Sequence, residues 1–278
     1  MFPSSPSWPM SEVRTAPVRP DLVWFRGRDA VRFLNDLISQ EIGARSPGSV
    51  VRSMLLGPRG KLDHLLWVLR GEEAVGLIAD EGRGEELAAT LGRYRIRVDV
   101  EIDGPVTGWL TVGGAAEEPG WIAGDGGVEA VLEWGGPPLR FVTGNKPVGP
   151  DLTVTEWDAI RIEAGEPRFG VDVDESTIPQ ETGLVAQTVD FTKGCFLGQE
   201  LVARIDSRGR VNRHLRRLAL EGEVAAGAPI FAGEKEVGTL TSVAGNLGLA
   251  LVHREVEPGD RVVVGEVPAL IAGPSVCK

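Results

Sequence analysis

Apolar positions in the first part of the chain fall into short runs separated by polar turns. The run at 22–25 predicts a buried strand. Behind it, Ala30, Leu34 and Ile38 recur at the spacing of one helix face, so we expect a helix there with Asp29 at its N-cap. The pattern therefore opens with a strand that leads into a helix.

Three further apolar runs, at Val50–Leu56, 62–69 and Ala74–Ala79, predict a meander of strands. The first two are separated by a short loop with two glycines and a proline, which suits a hairpin. A short helix is predicted at 85–93, and strict alternation at 96–102 predicts a half-buried strand. Strands, a helix and another strand in this order indicate an α+β unit with antiparallel pairing.

The second half of the chain is also rich in strand patterns. Residues 103–150 hold short apolar pieces among many glycines and prolines, which predicts strands with long loops. A helix is predicted at Val154–Ala164, ending at Gly165. Six short apolar runs follow between residues 215 and 271, and their close spacing predicts a small barrel or sandwich.

Composition divides the chain into three parts. Residues 1–20 hold five prolines and four serines, so we expect a loose tail. Residues 21–205 form the main α+β region, and residues 206–278 form the C-terminal barrel domain. The length of 278 residues is enough for a large core.

Charge and cysteine content narrow the class of protein. The net charge of −11 argues against broad binding to nucleic acid or to an anionic membrane. The chain has no apolar run long enough for a membrane span, and only two cysteines, Cys195 and Cys277. We therefore expect a cytoplasmic protein in a reducing compartment, without a metal site built from its own cysteines and its three separated histidines.

One stretch before a predicted helix carries the best candidate for a reactive group. Glycines flank Cys195 and Phe196, and apolar residues at helix spacing follow. Near a helix start, and with Lys193 two residues away, the thiolate form of Cys195 is favoured. The alternative is a small buried cysteine that serves packing only. The full motif consists of Lys193, Gly194, Cys195, Phe196, Leu197, Gly198, Gln199 and Glu200, and it runs on to Arg204.

This motif, with the arginine-rich residues that follow, resembles the signature of the YgfZ family of folate-binding proteins. That family is similar to the glycine-cleavage T-protein, an aminomethyltransferase, and is implicated in iron–sulfur cluster assembly or repair. The resemblance implies an aminomethyltransferase-like fold with intertwined antiparallel-sheet units, a C-terminal β-barrel and a central site for tetrahydrofolate or another folate.

A second segment resembles the part of the T-protein that supplies its folate site. It begins at Arg161 and runs through Glu163 and Gly165 to Phe169. The resemblance implies that Glu163 binds the pterin ring, with Arg161 and Phe169 in the same site. A carboxylate suits this role because its two oxygens accept two parallel hydrogen bonds. The alternative for Glu163 is a solvated charge at a helix end.

The T-protein has an acidic pair after its hairpin, and here the matching residues are Asp63 and His64. The resemblance therefore implies a catalytic role for Asp63 only weakly, because His64 replaces one of the two acids that the aminomethyltransferase has there. For His64 the default is a packing or pairing role. The sequence favours a non-enzymatic, folate-dependent factor over an aminomethyltransferase.

Residues 204–217 hold six arginines and one aspartate. This basic segment suits a folate polyglutamate tail or an acidic partner, because guanidinium groups bind carboxylates in pairs of hydrogen bonds. RNA is the least favoured partner for a protein of this net charge. The alternative is a solvated connection between the two domains.

The leading hypothesis is a tetrahydrofolate-binding accessory protein that supports iron–sulfur cluster assembly or repair, with Cys195 near the folate site. Its expected partners are iron–sulfur proteins or assembly factors, because a single thiol cannot hold a cluster alone. The alternative function is a tetrahydrofolate-dependent one-carbon (aminomethyl) transferase. A third hypothesis is a structural binding module whose cleft holds no folate.

Overall fold

The structure is a computed structural model that describes residues 9 and 11–272. Up to residue 152 the described elements are β1 (Arg14–Thr15), β2 (Asp21–Arg26), α1 (Ala30–Asn35), β3 (Val50–Leu56), β4 (Leu62–Arg70), β5 (Ala74–Ala79), α2 (Gly84–Gly92), β6 (Glu101–Thr107), β7 (Trp109–Val112), β8 (Gly120–Gly124), β9 (Gly127–Leu132) and β10 (Leu139–Val142). The remainder consists of α3 (Val154–Ala164), a 3₁₀ turn (Pro179–Glu181), α4 (Val185–Thr188), α5 (Gln199–Arg208), β11 (Arg213–Leu220), β12 (Pro229–Ala232), β13 (Lys235–Ala244), β14 (Leu247–His253), β15 (Arg261–Val264) and β16 (Val267–Ile271).

The first sheet is antiparallel and is covered on both faces. Its strands lie in the order β3, β4, β5, β2 and β6. Val23 and Phe25 of β2 pack with α1 and α2, whereas Leu22 and Trp24 pack in the core that the sheet shares with the second sheet. A strand covered on both faces needs apolar residues at successive positions, which explains the unbroken run at 22–25.

The second sheet intertwines with the first along the chain. Its order is β1, β7, β10, β9 and β8, so the N-terminal strand and the strands after β6 belong to it. Trp157 and Ile160 of α3 pack into the core between the sheets. This helix has the predicted bounds, and Gly165 ends it in the left-handed conformation with φ of 74°. The predicted antiparallel α+β region is therefore confirmed.

The C-terminal strands close into a six-stranded barrel in the order β11, β14, β13, β12, β15 and β16. All six predicted strand runs are confirmed, and the choice between barrel and sandwich is settled as a barrel. Ile162 of α3 packs against Leu215, Ala244 and Leu249, so this helix contacts both the sheets and the barrel. The helix thereby fixes the position of the residues that follow it.

The boundary predicted at residue 20 is wrong for the part of the tail that the structure describes. Arg14 and Thr15 pair with β7, and Ala16 is 2% exposed. The N–H groups of Thr15 and Ala16 donate to the carbonyls of Pro150 and Leu110, at 3.0 and 2.8 Å. Backbone pairing of this kind needs no long apolar run, so composition misses it. Residues 1–8 and 10 of the predicted tail lie outside the described residues.

Two predictions near the first sheet are also corrected. The strand expected at 96–102 begins only at Glu101, because Arg97 has a φ of 57° and Ile96 is 72% exposed. Asp29 stands at the N-cap of α1 but makes no side-chain cap, because its carboxylate accepts a hydrogen bond from the Asp99 N–H at 2.8 Å. Strand β8, at the edge of its sheet, was not predicted, although it carries three consecutive apolar residues between glycines.

Candidate functional site

A cavity of about 240 Å³ lies where the two sheets meet α3. We term it the aromatic cavity. Trp134 and Trp157 stack in its wall, with ring centroids 5.8 Å apart and planes at 20°. Such flat apolar walls with a few charged groups suit a planar ligand with a polar edge. The lining residues are Val18, Pro20, Trp67, Asp80, Glu81, Arg83, Leu110, Trp134, Leu139, Trp157, Arg161, Glu166, Pro167, Arg168 and Phe169.

Glu166 contributes a buried, fully paired carboxylate to this wall. The turn at Gly165 brings it back over the helix end, where the Glu166 N–H donates to the Arg161 carbonyl at 2.8 Å. Both of its carboxylate oxygens accept from Arg52, at 2.7 and 2.6 Å. Arg52 also lies over Trp67, 4.6 Å from the ring centroid. Because both partners are buried, this ion pair depends on its good geometry.

Asp80 is a second carboxyl group of the aromatic cavity, and the sequence analysis missed it. Burial and the nearby Glu166 carboxylate raise the pKa of Asp80 to about 6, against the opposing effects of Arg83 and the Phe169 backbone amide. Asp80 comes directly after an apolar strand and before the turn at Gly82. An acidic residue in that place was the available signal, because strand ends commonly point functional side chains into a site.

Phe169 lies in the wall of the cavity, and its role toward a folate stays a prediction. The Arg83 guanidinium stands 3.9 Å from the centroid of the Phe169 ring. Arg83 also pairs with Glu86 at 3.0 Å and donates to the Asp63 carbonyl at 3.1 Å. Phe169 and Arg83 therefore form a fixed part of the wall.

Arg161 also lines the cavity, but its guanidinium is held by structural contacts. It donates to Asp158 at 2.5 Å, to Asp172 at 2.8 Å and to Ser242 at 2.6 Å. Ser242 belongs to the barrel strand β13, so Arg161 connects α3 to the barrel. Its role toward a folate stays a prediction.

Glu163 is not among the residues that line the aromatic cavity. It follows Arg161 by two positions, and two positions correspond to about 200° around an α-helix, so the two side chains leave opposite faces. The Glu163 carbonyl accepts a hydrogen bond from Arg217 at 2.6 Å. The structure therefore brings Arg161 and Phe169 together and leaves Glu163 on another side of α3.

Asp63 and His64 lie at the start of β4, outside the cavity lining. The His64 ring is 1% exposed, and its Nδ1 lies 3.7 Å from Asp63 Oδ2. The His64 ring and, to a smaller extent, Arg83 lower the pKa of Asp63. Asp63 is therefore an ionised carboxylate near neutral pH, and a catalytic role for it stays a prediction.

Residues 190–198, termed the Cys195 loop, are held to the body of the protein by Lys193. Its ammonium donates to the carbonyls of Asn35, Ile38 and Gln40, at 2.5, 2.8 and 3.0 Å. Burial lowers the pKa of Lys193 to about 8. An ammonium has three N–H donors, and all three are used here, so none remains for the Cys195 sulfur. Lys193 thus positions the loop.

The loop ends where α5 begins, at Gln199, which confirms the predicted helix start. Gly198 has a φ of 76°, and a Cβ there would lie 2.6 Å from the Gly57 carbonyl oxygen and 3.0 Å from Gly60 Cα. Only glycine allows this contact with the hairpin between β3 and β4. Gln199 accepts the Phe196 N–H at 2.8 Å, which fixes the turn.

Cys195 itself is exposed. Its neighbours Phe196 and Leu197 pack into two different cores, while a Cβ on Gly194 would meet nothing within 4 Å. The alternative of a buried packing cysteine is therefore wrong. Cys195 is not among the residues that line the aromatic cavity. The motif builds a fixed loop that presents one thiol to solvent.

The basic segment is partly used for structure. Arg204 pairs with Glu200 at 3.1 Å on an exposed face of α5, and Arg213 pairs with the buried Glu181 at 2.9 Å. Arg216 and Arg217 line a smaller cavity of about 90 Å³ that also reaches Glu166. These arginines are therefore spread over several surfaces.

Comparison with known proteins shows which of them this chain is similar to. A family model described as the CAF17 C-terminal beta-barrel domain matches residues 212–276. A tRNA-modifying protein YgfZ of Yersinia enterocolitica is 45% identical over 65 residues, which cover 23% of this chain and 20% of that protein. An aminomethyltransferase of Rubrobacter xylanophilus is 28% identical over 294 residues, covering 88% of this chain and 77% of the relative. These matches support the predicted resemblance to YgfZ proteins and to aminomethyltransferases.

A solved structure shares the fold of this chain. The aminomethyltransferase T of the glycine cleavage system from Bartonella henselae superposes with a TM-score of 0.82, covering 96% of this chain and 88% of that chain at 17% identity. The predicted aminomethyltransferase-like fold is confirmed. In the described part of this YgfZ-like chain, no helix is long and apolar enough to cross a membrane, and no three His, Cys, Asp or Glu side chains cluster as metal ligands would.

Proposed function

We propose that this YgfZ-like protein binds tetrahydrofolate, or a related reduced folate, in the aromatic cavity and supports iron–sulfur cluster assembly or repair through Cys195. The observation that carries the proposal is the pairing of a tryptophan-walled cavity with a separate loop that exposes a single thiol. Both features lie in a chain that resembles aminomethyltransferases over most of its length.

The cavity walls match the chemistry of a pterin ring. A flat heterocycle gains from stacking on Trp134 or Trp157 and from leaving water. Its polar edge needs hydrogen-bond partners in the same place, because a buried donor without a partner is unfavourable. Asp80 and the paired Glu166 place carboxylates at such an edge.

The thiol of Cys195 supplies at most one ligand of an iron–sulfur cluster, so the proposed role requires a partner protein. An exposed sulfur on a fixed loop suits contact with an iron–sulfur protein or an assembly factor. The cytoplasm, as a reducing compartment, would keep this thiol free. The folate would bind within the body of the protein, and the partner at its surface.

A one-carbon transferase is the second candidate, because relatives from Rubrobacter xylanophilus and Thermotoga neapolitana are named aminomethyltransferase. Proton transfer at a folate nitrogen works best with a group whose pKa lies near neutral pH. Asp63 has a lowered pKa and lies outside the cavity lining. Asp63 is therefore poorly suited to this step, and a transferase would have to use Asp80, which lines the cavity and has a pKa raised to about 6.

Direct binding of RNA is not part of the proposal, although YgfZ relatives are named tRNA-modifying proteins. The net charge of −11 opposes a phosphate backbone. Arg204 and Arg213, which belong to the basic segment, already pair with glutamates.

Calorimetry with tetrahydrofolate under anaerobic, reducing conditions tests the folate part. We expect the wild type to bind, and its tryptophan fluorescence to be quenched on binding. Phe169→Leu should bind about tenfold more weakly because an aromatic contact is lost. Cys195→Ala should bind as well as the wild type. If the wild type does not bind, the folate proposal is wrong.

The cluster part is tested in cells that lack the protein. Cys195→Ala should fail to restore the activity of an iron–sulfur enzyme, whereas Ser207→Ala, on the exposed face of α5, should restore it. If Cys195→Ala fully restores the activity of that enzyme, the thiol is not required for the proposed role.

A further inference from the structure

The C-terminal barrel contributes no residue to the aromatic cavity in the part of the chain that the structure describes, because every lining residue lies between positions 18 and 169. The barrel nevertheless reaches the wall of the cavity from behind. Arg161 and Arg168 line the cavity, and both donate to one carboxylate, that of Asp172. Asp172 is 1% exposed and does not line the cavity itself.

One oxygen of Asp172 holds the cavity wall. Asp172 Oδ2 accepts a hydrogen bond from the Arg161 guanidinium at 2.8 Å and another from the Arg168 N–H at 2.9 Å. The Asp172 N–H donates to the Arg168 carbonyl at 2.9 Å, which closes the turn that carries Arg168 and Phe169. The Arg168 guanidinium makes no hydrogen bond or ion pair with another described residue, so it stays available to a ligand.

The other oxygen of Asp172 is held by the barrel. Asp172 Oδ1 accepts hydrogen bonds from the hydroxyls of Ser242, at 2.7 Å, and Thr241, and both residues belong to β13. The Ser242 hydroxyl also accepts from the Arg161 guanidinium at 2.6 Å, so Arg161, Asp172 and Ser242 form a closed ring of hydrogen bonds. A buried carboxylate needs such partners, because an unsatisfied oxygen costs far more in the protein interior than in water.

The barrel does not need this network for its attachment to α3. Apolar contacts already join the two, since Ile162 packs against Leu215 and Leu249 of the barrel. A buried charged network adds little net stability over apolar packing of the same volume, and a better-attested effect is to fix one arrangement of the groups that it joins. Here it joins two residues of the cavity wall to one strand of the barrel.

We propose that Asp172 is a positioning residue through which the barrel sets the ligand affinity of the aromatic cavity. The hydroxyls of β13 hold the Asp172 carboxylate, and the carboxylate holds Arg161 and the turn of Arg168 in the geometry that receives the ligand. This inference rests on the proposed binding of a reduced folate, and it assigns no contact with the folate to Asp172. Because coupling between sites is reciprocal, a ligand in the cavity must also stabilise the contact with β13.

The decisive variant is Ser242→Ala, which removes one barrel hydroxyl and leaves every residue of the cavity lining in place. We expect the full chain with this substitution to bind tetrahydrofolate about fivefold more weakly than the wild type in anaerobic calorimetry, as is typical of coupling through a packed network. Thr239→Ala is the matched control, because it removes an exposed hydroxyl from the same strand. It should bind as the wild type.

Asp172→Asn tests the centre of the network. It removes the buried charge beside Arg161 and should lose at least as much affinity as Ser242→Ala. Because this substitution also leaves Arg161 with one carboxylate fewer, its folding is checked first by urea denaturation.

Affinity separates a positioning role from a merely structural one. The dissociation constant of a protein that is almost fully folded does not change when its stability falls, because the fraction of binding-competent protein stays near one. Urea denaturation identifies the conditions under which each variant is folded. A loss of affinity in folded Ser242→Ala therefore reports on the geometry of the cavity.

Hydrogen exchange tests the same coupling in the wild type. Tetrahydrofolate should slow amide exchange in β13, although no residue of β13 lines the cavity. Strand β15 is the internal control, because it contributes no residue to the network and should be protected less than β13. In Ser242→Ala the additional protection of β13 should be lost.

The outcomes separate the two proposals. If the wild type binds tetrahydrofolate and Ser242→Ala binds it equally well, the barrel does not act on the cavity, while folate binding stands. If Thr239→Ala weakens binding as much as Ser242→Ala, the effect does not pass through the network, and the role of Asp172 is wrong. If the wild type does not bind at all, the folate proposal is wrong and the role of Asp172 falls with it.

Discussion

The side chains that line the aromatic cavity come from distant segments of the chain, whereas the Cys195 loop is formed by consecutive residues. In the cavity, Trp67 comes from β4, Asp80 from the turn after β5 and Glu166 from the segment after α3. In the loop, Lys193, Phe196 and Gly198 each hold the chain in place, and Cys195 alone is presented to solvent. The carboxylate of Glu166 is enclosed in the cavity, whereas the thiol of Cys195 is exposed to solvent.

This contrast has an energetic side. The carboxylate of Glu166 is stable in the cavity only because Arg52 neutralises it. The thiol of Cys195 is exposed and contributes no packing, while its neighbours contribute all of the loop's structure. Substitutions should therefore affect the fold strongly in the cavity wall and at the loop's supports, and weakly at Cys195.

The largest expected effect is that of Arg52→Leu, which leaves Glu166 charged and buried without its partner. We expect the free energy of unfolding to fall by about 3–5 kcal/mol, measured by urea denaturation. The control is Arg26→Leu, which breaks an exposed pair with Asp103 at 2.9 Å and should change stability by at most about 1 kcal/mol. The double variant Arg52→Leu with Glu166→Leu should recover much of the loss. Equal losses of stability in Arg52→Leu and Arg26→Leu would contradict the importance of burial.

A smaller effect is expected at the support of the Cys195 loop. Gly198→Ala places a methyl group 2.6 Å from the Gly57 carbonyl oxygen at a φ of 76°, so the loop and the hairpin must separate. We expect a loss of about 1–3 kcal/mol in the free energy of unfolding and faster amide exchange in the loop. Gly194→Ala is the matched control inside the same motif, because its Cβ would meet nothing within 4 Å. If both variants behave alike, the hairpin contact does not hold the loop.

The same contrast explains what the sequence could predict. A motif of consecutive residues is read directly, so the helix start after Gly198 and the candidate thiol were found. The contact of Gly198 with the hairpin joins residues distant in the chain, and no local pattern indicates it. For Asp80 the local pattern offered only its place after an apolar strand, and its contact with Glu166 needs the folded chain.

Helix geometry was the one available signal about Glu163. Arg161 and Glu163 lie two positions apart in a helix whose bounds were predicted correctly, so they cannot line one cavity together. The resemblance implied that both residues lie in the folate site, whereas the period of the helix allows only one of the two side chains to face a given cavity. The barrel strands were predictable because each is an apolar run closed by a turn, whereas the edge strand β8, with only three apolar residues between glycines, was not predicted.

The smallest expected effect is that of Cys195→Ala, and it tests the idea that the loop presents the thiol without depending on it. The side chain is exposed, so we expect the free energy of unfolding to change by at most about 0.5 kcal/mol. Phe196→Ala, one residue away, removes a side chain that packs in a core with Leu56 and Val202, and should lower stability by about 2 kcal/mol or more. In a Cys277→Ser background, iodoacetamide should modify the folded protein as fast as a short model peptide, because access to Cys195 needs no unfolding. A stability loss at Cys195 comparable to that at Phe196 would mean that the loop depends on its sulfur, and the exposed thiol would then no longer argue for contact with a partner.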